Sequence, residues 1–244
     1  GAASSGDLAR RSTVNPEAHA LYLNGRYQFE KRDASSLRRA REYFQQAIAR
    51  DSGFALAWAG LADSYSHSAT FGYERALESM PKAREYAEKA LALDSSLVEV
   101  HSSLAFISLF YDYDFKAAGR EFAKALEINP NHHSAHLWYA WYYLATDSID
   151  AAVREGEKAV ALEPFMTVPN VRLVTFLFFA RQYSEALEQT KRVFELDSMF
   201  FQAHSERSRV LMKLGQCDEA LKDVPLSGEQ GASQLVGTRG QVYA

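Results

Sequence analysis

The sequence predicts an all-α fold: a solenoid of antiparallel helix pairs, about six pairs followed by a terminal helix. Three observations predict it. First, Ala118, Phe122, Ala125 and Pro130 are matched by Ala152, Gly156, Ala159 and Pro164, each 34 residues later. A fixed period of that length marks one supersecondary unit stacked on copies of itself. Second, apolar residues within a period recur at helical spacing, as Ala40, Phe44 and Ala47 do. Third, each period closes on a polar residue followed by Pro or Ser: Asp51-Ser52, Asp94-Ser95, Asn129-Pro130, Glu163-Pro164 and Asp197-Ser198. Such a pair stops one helix and sets the turn into the next.

Taken in order, residues 1–15 show no periodicity and read as a lead-in or linker, with a short helix expected around Asp7 to Arg11. Asn15-Pro16 is a helix start, Asn as cap and Pro in the first turn, and the helix runs to about Lys31. A second helix is expected from about Ser36 to Arg50. Second helices then carry one column of small residues at Ala40, Ala83, Ala118, Ala152, Ala186 and Ala220, and another at Ala47, Ala90, Ala125, Ala159 and Val193. First helices carry Trp58, His101, His136, Asn170 and His204. Leu61-Ala62, Leu104-Ala105, Tyr139-Ala140, Leu173-Val174 and Arg207-Ser208 follow them, and the last is a poor pair for a core. Small residues let paired helices approach while large ones fill the gaps. The resulting units are 16–52, 53–95, 96–130, 131–164, 165–198 and 199–225, within one solenoid domain 16–244 that ends in a helix over 235–244. The stretch Ser66 to Met80 holds about nine extra residues and is expected as an edge loop or as a lid over the groove. Leu226 to Gln234 is expected as a turn.

These columns, with their closing Asp/Asn/Glu-Pro/Ser pairs, resemble the tetratricopeptide repeat over roughly residues 16–244, which implies a right-handed superhelical solenoid. ALYLNGRYQFEKR (20–32), AREYFQQAIARDSGFALAWAGLADSY (40–65) and AHLWYAWYYLA (135–145) are similar to repeat regions of multidomain bacterial signalling proteins. There the repeats follow a protein kinase, a winged-helix DNA-binding domain or a nucleotide cyclase. LARRSTVNPEA (8–18) resembles the join to such a domain; the last residues, 240–244, stop inside an expected helix, so the chain is expected to be a fragment of something longer.

Composition is ordinary for a folded chain, 47% hydrophobic and 24% charged. The net charge of −4, with 27 basic and 31 acidic residues interspersed, gives no electrostatic footprint for nucleic acid. The apolar stretches Leu137–Ala145 and Leu173–Ala180 are too short to span a bilayer, so no direct membrane insertion is expected. Cys217 is the single cysteine, which fits a reducing, cytoplasmic compartment. An extracytoplasmic domain of a membrane-anchored protein is the alternative.

Catalytic chemistry finds no support. His132, His133 and His136 are the one candidate metal cluster, but His136 belongs to a packing column and the others fall in a turn, so neither metal nor cofactor is expected. Glu155/Glu157 and Glu185/Glu188 lie on outer helix faces, and no phosphate-cradling glycine motif is present.

The first helices are expected to line a concave groove. Following the period, Asp63, Phe106, Trp141, Thr175 and Arg209 form one row across it. Phe110, Leu137, Leu144, Phe178, Phe179 and Lys213 lie in neighbouring rows. Tetratricopeptide domains that grip a carboxylate use Lys, Arg and Asn at such places, a pattern that only Arg209 and Lys213 fit here. Two readings of the aromatic row stay open: anchors for a ligand, or packing between repeats. The expected function is a non-catalytic scaffold or regulatory module. It would hold an apolar or aromatic-bearing protein or peptide segment at Phe106, Phe110, Leu137, Trp141, Leu144, Thr175, Phe178, Phe179, Arg209 and Lys213. The rivals are a self-association module forming a homodimer and a small-ligand sensor for an absent output domain.

Overall fold

The computed structural model describes residues 15–223, so the expected helix around Asp7 to Arg11, the turn Leu226 to Gln234 and the helix over 235–244 lie outside the described residues. Every described element is a helix, and the helices pair as the periodicity requires. Chain packing divides into two compact units that meet in sequence at Pro130/Asn131. The first holds α1 (Pro16–Glu30), α2 (Ala34–Arg50), α3 (Ala55–Thr70), α4 (Ala76–Leu93), α5 (Val98–Ile107) and α6 (Phe115–Ile128). The second holds α7 (His133–Ala145), α8 (Ile149–Leu162), α9 (Thr167–Phe179), α10 (Tyr183–Leu196), α11 (Phe201–Lys213) and α12 (Cys217–Asp223).

Local chemistry explains the boundaries. Asn15 Oδ1 accepts from the amides of Glu17 and Ala18, and Pro16 takes the first helical position, where no N–H is needed. Asp33 caps α2, which starts two residues before the expected Ser36: its Oδ1 accepts from the amides of Ser35 and Ser36, both at 2.9 Å.

The turn inside each helix pair shares one device. The residue just past the first helix is left-handed in all six pairs: Arg32 (φ 60°), Gly72 (75°), Tyr113 (56°), Asp147 (59°), Arg181 (59°) and Gly215 (74°). In four of them the next amide reaches back to a carbonyl five residues earlier: Tyr73 to Ser68, Ser148 to Tyr143, Gln182 to Leu177 and Gln216 to Leu211. This is the Schellman closure, which satisfies carbonyls that the helix end leaves open. The third pair differs. Its first helix widens into a π-helical turn at Ser108–Asp112, and the amide of Asp114 closes on Ser108.

Side-chain volumes are exchanged between neighbouring helices. In the first unit the fully buried Phe44 of α2 lies between Gly25 of α1 and Gly60 of α3. A methyl group on either glycine would come within 2.5 Å or 2.7 Å of its ring. In the second unit the roles are reversed: Gly156 of α8 leaves room for Phe176 of α9, whose ring would lie 2.7 Å from an added Cβ. The small columns Ala40, Ala83, Ala118, Ala152 and Ala186 are completely buried, as are Ala125 and Ala159.

The extra residues of the second pair form neither an open loop nor a lid. They lengthen α3 and α4 instead, leaving five residues, 71–75, as the link. Phe71 and Tyr73 pack on the core around Phe29, Leu37 and Leu61. Tyr73 Oη donates to the Arg32 carbonyl at 3.1 Å, and Glu74 pairs with Arg41 at 2.5 Å. Five residues tied down this firmly have no freedom to close over a surface.

Candidate functional site

The column expected to be packing turns out to be a hydrogen-bond relay. Trp58 Nε1 donates to the Ser52 carbonyl at 2.9 Å, His101 Nε2 to Ser95 at 3.0 Å, Asn170 Nδ2 to Pro164 at 3.2 Å and His204 Nε2 to Ser198 at 3.1 Å. Each ties a first helix to a carbonyl six residues back, in the turn that joins it to the preceding pair. The second polar atom reaches the following helix: His101 Nδ1 lies 2.7 Å from Glu121, His136 Nδ1 2.5 Å from Glu155, Asn170 Oδ1 accepts from Gln189 at 2.8 Å, and His204 Nδ1 is 2.8 Å from Asp223. Burial opposes ionisation of Glu155, but hydrogen bonds from His136 and Lys158 outweigh it and hold that carboxyl below its ordinary range.

The three neighbouring imidazoles are each engaged, only His136 by the relay. His132 caps α7 by accepting from the Ala135 amide, His133 meets the Ser134 hydroxyl at 3.0 Å, and His136 is held by Glu155. Among the described residues, no group of three or more His, Cys, Asp or Glu side chains is placed to hold a metal ion.

The face lined by first helices differs between the two units. In the second, Trp141, Leu144 and Phe178 are half-buried against the core of Val171, Val174 and Phe176, and Phe179 is 43% exposed. Trp141 meets Phe176 edge-on at 5.4 Å, and its indole N–H is buried with no hydrogen-bond partner. Leu137 and Thr175 are buried and back this strip from within. Arg209 does not stand ready for an incoming anion: Nη1 contacts both oxygens of Glu206, at 3.1 Å and 3.0 Å, and the guanidinium lies 4.4 Å above Phe178. Lys213 is exposed.

In the first unit Phe106 is buried, and this corrects the expected aromatic row. It stacks on His67 at 4.7 Å, and His67 in turn meets Phe29 edge-on at 5.0 Å, so one ring from each of α5, α3 and α1 forms a sealed stack. Phe110, half-buried, packs on Phe106 at 4.6 Å. The polar residues beside this stack form a cluster that the sequence motifs do not mark as a site. Arg26 and Arg32 both contact Glu30, at 3.1 Å and 3.3 Å. Asp63 accepts from the Ser103 hydroxyl at 2.5 Å. Burial pushes the Asp63 carboxyl up to about 6, against the lowering effect of Ser103, Arg26 and Arg32. The one signal for this cluster is the register itself, which sets Asp63 in the same row as Phe106 and Trp141.

The model of the tetratricopeptide repeat family matches residues 104–166. The chain has the tetratricopeptide-repeat fold. Solved structures agree on that fold. YrrB, a tetratricopeptide protein described as having an unusual peptide-binding site, superposes with a TM-score of 0.53 at 18% identity, over 81% of this chain and 97% of its own. TTC0263, a thermophilic tetratricopeptide protein of Thermus thermophilus, gives 0.65 at 16% identity, over 80% and 99%. IFIT1 bound to m7Gppp-AAAA gives 0.73 at 14% identity; 86% of this chain is covered, and the chain spans about half of IFIT1, 50%. No curated protein matches the sequence. No helix among the described residues is long and apolar enough to cross a membrane. The tetratricopeptide fold explains the alternation of small and large columns: the relay and the Schellman turns hold the helix pairs, leaving the first-helix faces to vary.

Proposed function

We propose that this chain is a non-catalytic interaction module that binds a protein or peptide segment through the first-helix face of its second unit. The observation that carries the reading is the strip Trp141, Leu144, Phe178 and Phe179. Its four large apolar side chains, from two successive first helices, are half-buried or exposed while the core beneath them is complete. Large aromatics left partly wet gain most when a partner covers them, and such anchors dominate binding energy. The buried indole N–H of Trp141 adds a donor that an extended segment's carbonyl could satisfy. YrrB, of the same fold, is described as having a peptide-binding site, which supports the class of ligand but not its identity.

A peptide array of apolar and aromatic sequences, probed with the labelled chain, tests the proposal. Selected segments should bind the native chain and lose affinity for Trp141→Ala, whose helix content stays unchanged. Equal binding to both proteins defeats the reading. Sedimentation over a range of concentrations separates it from self-association, in which mass rises with concentration and the same strip is covered by a second copy.

A further inference from the structure

The first unit presents a different chemistry on its own first-helix face, and we propose that it receives a cation, the ammonium or guanidinium of a Lys or Arg side chain on a bound segment, at Asp63 beside the hydroxyl of Ser102. This goes beyond the reading above, which concerns the second unit alone.

The placement begins with α5. Glu99, Ser102, Ser103 and Phe106 are spaced three and four apart and share one helix face. Two of the four are tied to α3: Ser103 donates to Asp63 at 2.5 Å, and Phe106 stacks on His67 at 4.7 Å. The face that holds Ser102 is therefore turned toward Asp63. Ser102 is only 8% exposed, and its Oγ has no hydrogen-bond partner. A buried hydroxyl without a partner costs free energy, and an incoming N–H donor would remove that cost.

Charge balance selects the sign of the ligand. The groups that act on the Asp63 carboxyl are Arg26 and Tyr22 from α1, Arg32 from the turn after it, and Glu99 and Ser103 from α5, while His67 Nδ1 on its own helix lies 2.9 Å from the Asp63 backbone carbonyl. Both guanidiniums are engaged with Glu30, and both lie over the Phe29 ring, at 5.3 Å and 4.2 Å. Asp63 has the Ser103 hydroxyl and, among the described residues, no ion pair. The nearby Glu99 carboxylate adds negative charge and raises the Asp63 pKa further. Burial, the largest cause, holds the Asp63 carboxyl up at about 6, as expected for a charge whose neighbours do not fully offset its desolvation. A cation docking there favours the ionised form, so binding strengthens as pH rises through about 6 and levels off above it.

The test uses the full chain and three small probes: Nα-acetyl-lysine amide, Nα-acetyl-glutamine amide and Nα-acetyl-glutamate amide. Amide chemical shifts are followed during titration. The lysine probe should move the signals of Asp63 and Ser102, more weakly at pH 5 than at pH 7.5, and the glutamine probe should leave them in place. Asp63→Asn should weaken the lysine response roughly tenfold or more, the loss expected when one partner of a charge pair is removed. Ser102→Ala, which deletes only a hydroxyl, gives the same test with less risk to folding. Equal response to lysine and glutamine probes, no response to lysine, or preferential response to glutamate each overturns the proposal. The lysine response at Asp63 and the Trp141-dependent binding are read separately, so failure of the first overturns this inference while leaving the proposed function standing.

Discussion

His204 and Asp223 form a buried polar contact in the second unit: Nδ1 lies 2.8 Å from Oδ1, and Asp223 is completely buried. The same carboxylate takes two bonds from Arg207, Nε at 2.7 Å and Nη2 at 2.5 Å. This explains how Arg207-Ser208, a poor pair for a core, fits the repeat. Arg207 reaches out to Asp223, and Ser208 donates to the Ala220 carbonyl at 3.0 Å. Removing the buried carboxylate leaves three donors, on two side chains, without their acceptor, so Asp223→Ala should cost about 3 kcal/mol, the low end for a broken buried pair because Arg207 is itself a third exposed. Urea unfolding checks this as a lower midpoint at unchanged slope.

The left-handed turn residues give a prediction of opposite sign. Arg181 holds φ 59° with a side chain that disfavours it, whereas Gly215 serves the equivalent turn 34 residues later without penalty. Left-handed backbone costs an ordinary residue about 1–2 kcal/mol, of which glycine's extra unfolded-state entropy returns about 0.5–1. Arg181→Gly should therefore stabilise by about 0.5–1 kcal/mol, and Gly215→Ala should destabilise by a similar amount. Thermal melting of the two variants should move in opposite directions.

The helix pairs are legible in the sequence because the small columns report directly on close helix approach, and a 34-residue period leaves few alternatives. The turn device is not legible. Arg32, Tyr113, Asp147 and Arg181 are left-handed because the second helix must pack back on the first, a tertiary demand that overrides their local preference. The extra residues after Ser66 defeat a reading from length, which cannot distinguish a loop from two longer helices; the packing of Phe71 and Tyr73 decides it. In the candidate site, register places Phe106 and Trp141 in one row, but exposure depends on what lies opposite. His67 faces Phe106 and seals it, whereas Trp141 stays half-open. Arg209 stands in the groove row by register, yet Glu206, three residues earlier on the same helix, already engages it.

Volume exchange between helices can be tested at Gly156. A methyl group there would sit 2.7 Å from the Phe176 ring, which is fully buried and cannot retreat. Gly156→Ala should overpack the contact and cost about 1–3 kcal/mol. Pairing it with Phe176→Leu should recover part of that loss, giving a favourable coupling in a double-mutant cycle.

Acid should destabilise the first unit through two carboxylates. For Glu74, the Arg41 hydrogen bond is the main influence and lowers the pKa. For Asp33, burial opposes ionisation, but hydrogen bonds from Ser36 and Ser35 win and lower it too. A depressed folded pKa means stability that is full above the unfolded value, about 4, and lost as pH falls through the folded one. Glu74→Gln should lower stability at pH 7 and flatten its decline below about pH 4. A decline as steep as that of the native chain counts against this assignment.

The distinction between sealed and open aromatics gives the sharpest functional prediction. Phe106 is 2% exposed and Phe179 43%, while Trp141 is half-buried with an unpartnered indole N–H. If binding uses the strip on the second unit, Trp141→Ala should weaken a selected segment by about 2 kcal/mol or more with little change in unfolding midpoint, because the core of Val171, Val174 and Phe176 remains closed beneath it. Phe179→Ala should act in the same direction more weakly, since an exposed ring at the margin excludes less water. Phe106→Ala should behave differently: it empties the stack between α3 and α5 and costs about 3–5 kcal/mol of stability. Whatever affinity the folded fraction retains should be near native. Raising salt should leave the Trp141-dependent part of the affinity nearly constant, since that contact does not rest on exposed charges. Calorimetry on the three variants, each alongside its own melting curve, separates the cases. If Phe106→Ala lost affinity while folded and Trp141→Ala did not, the ligand-bearing face would have to be assigned to the first unit instead.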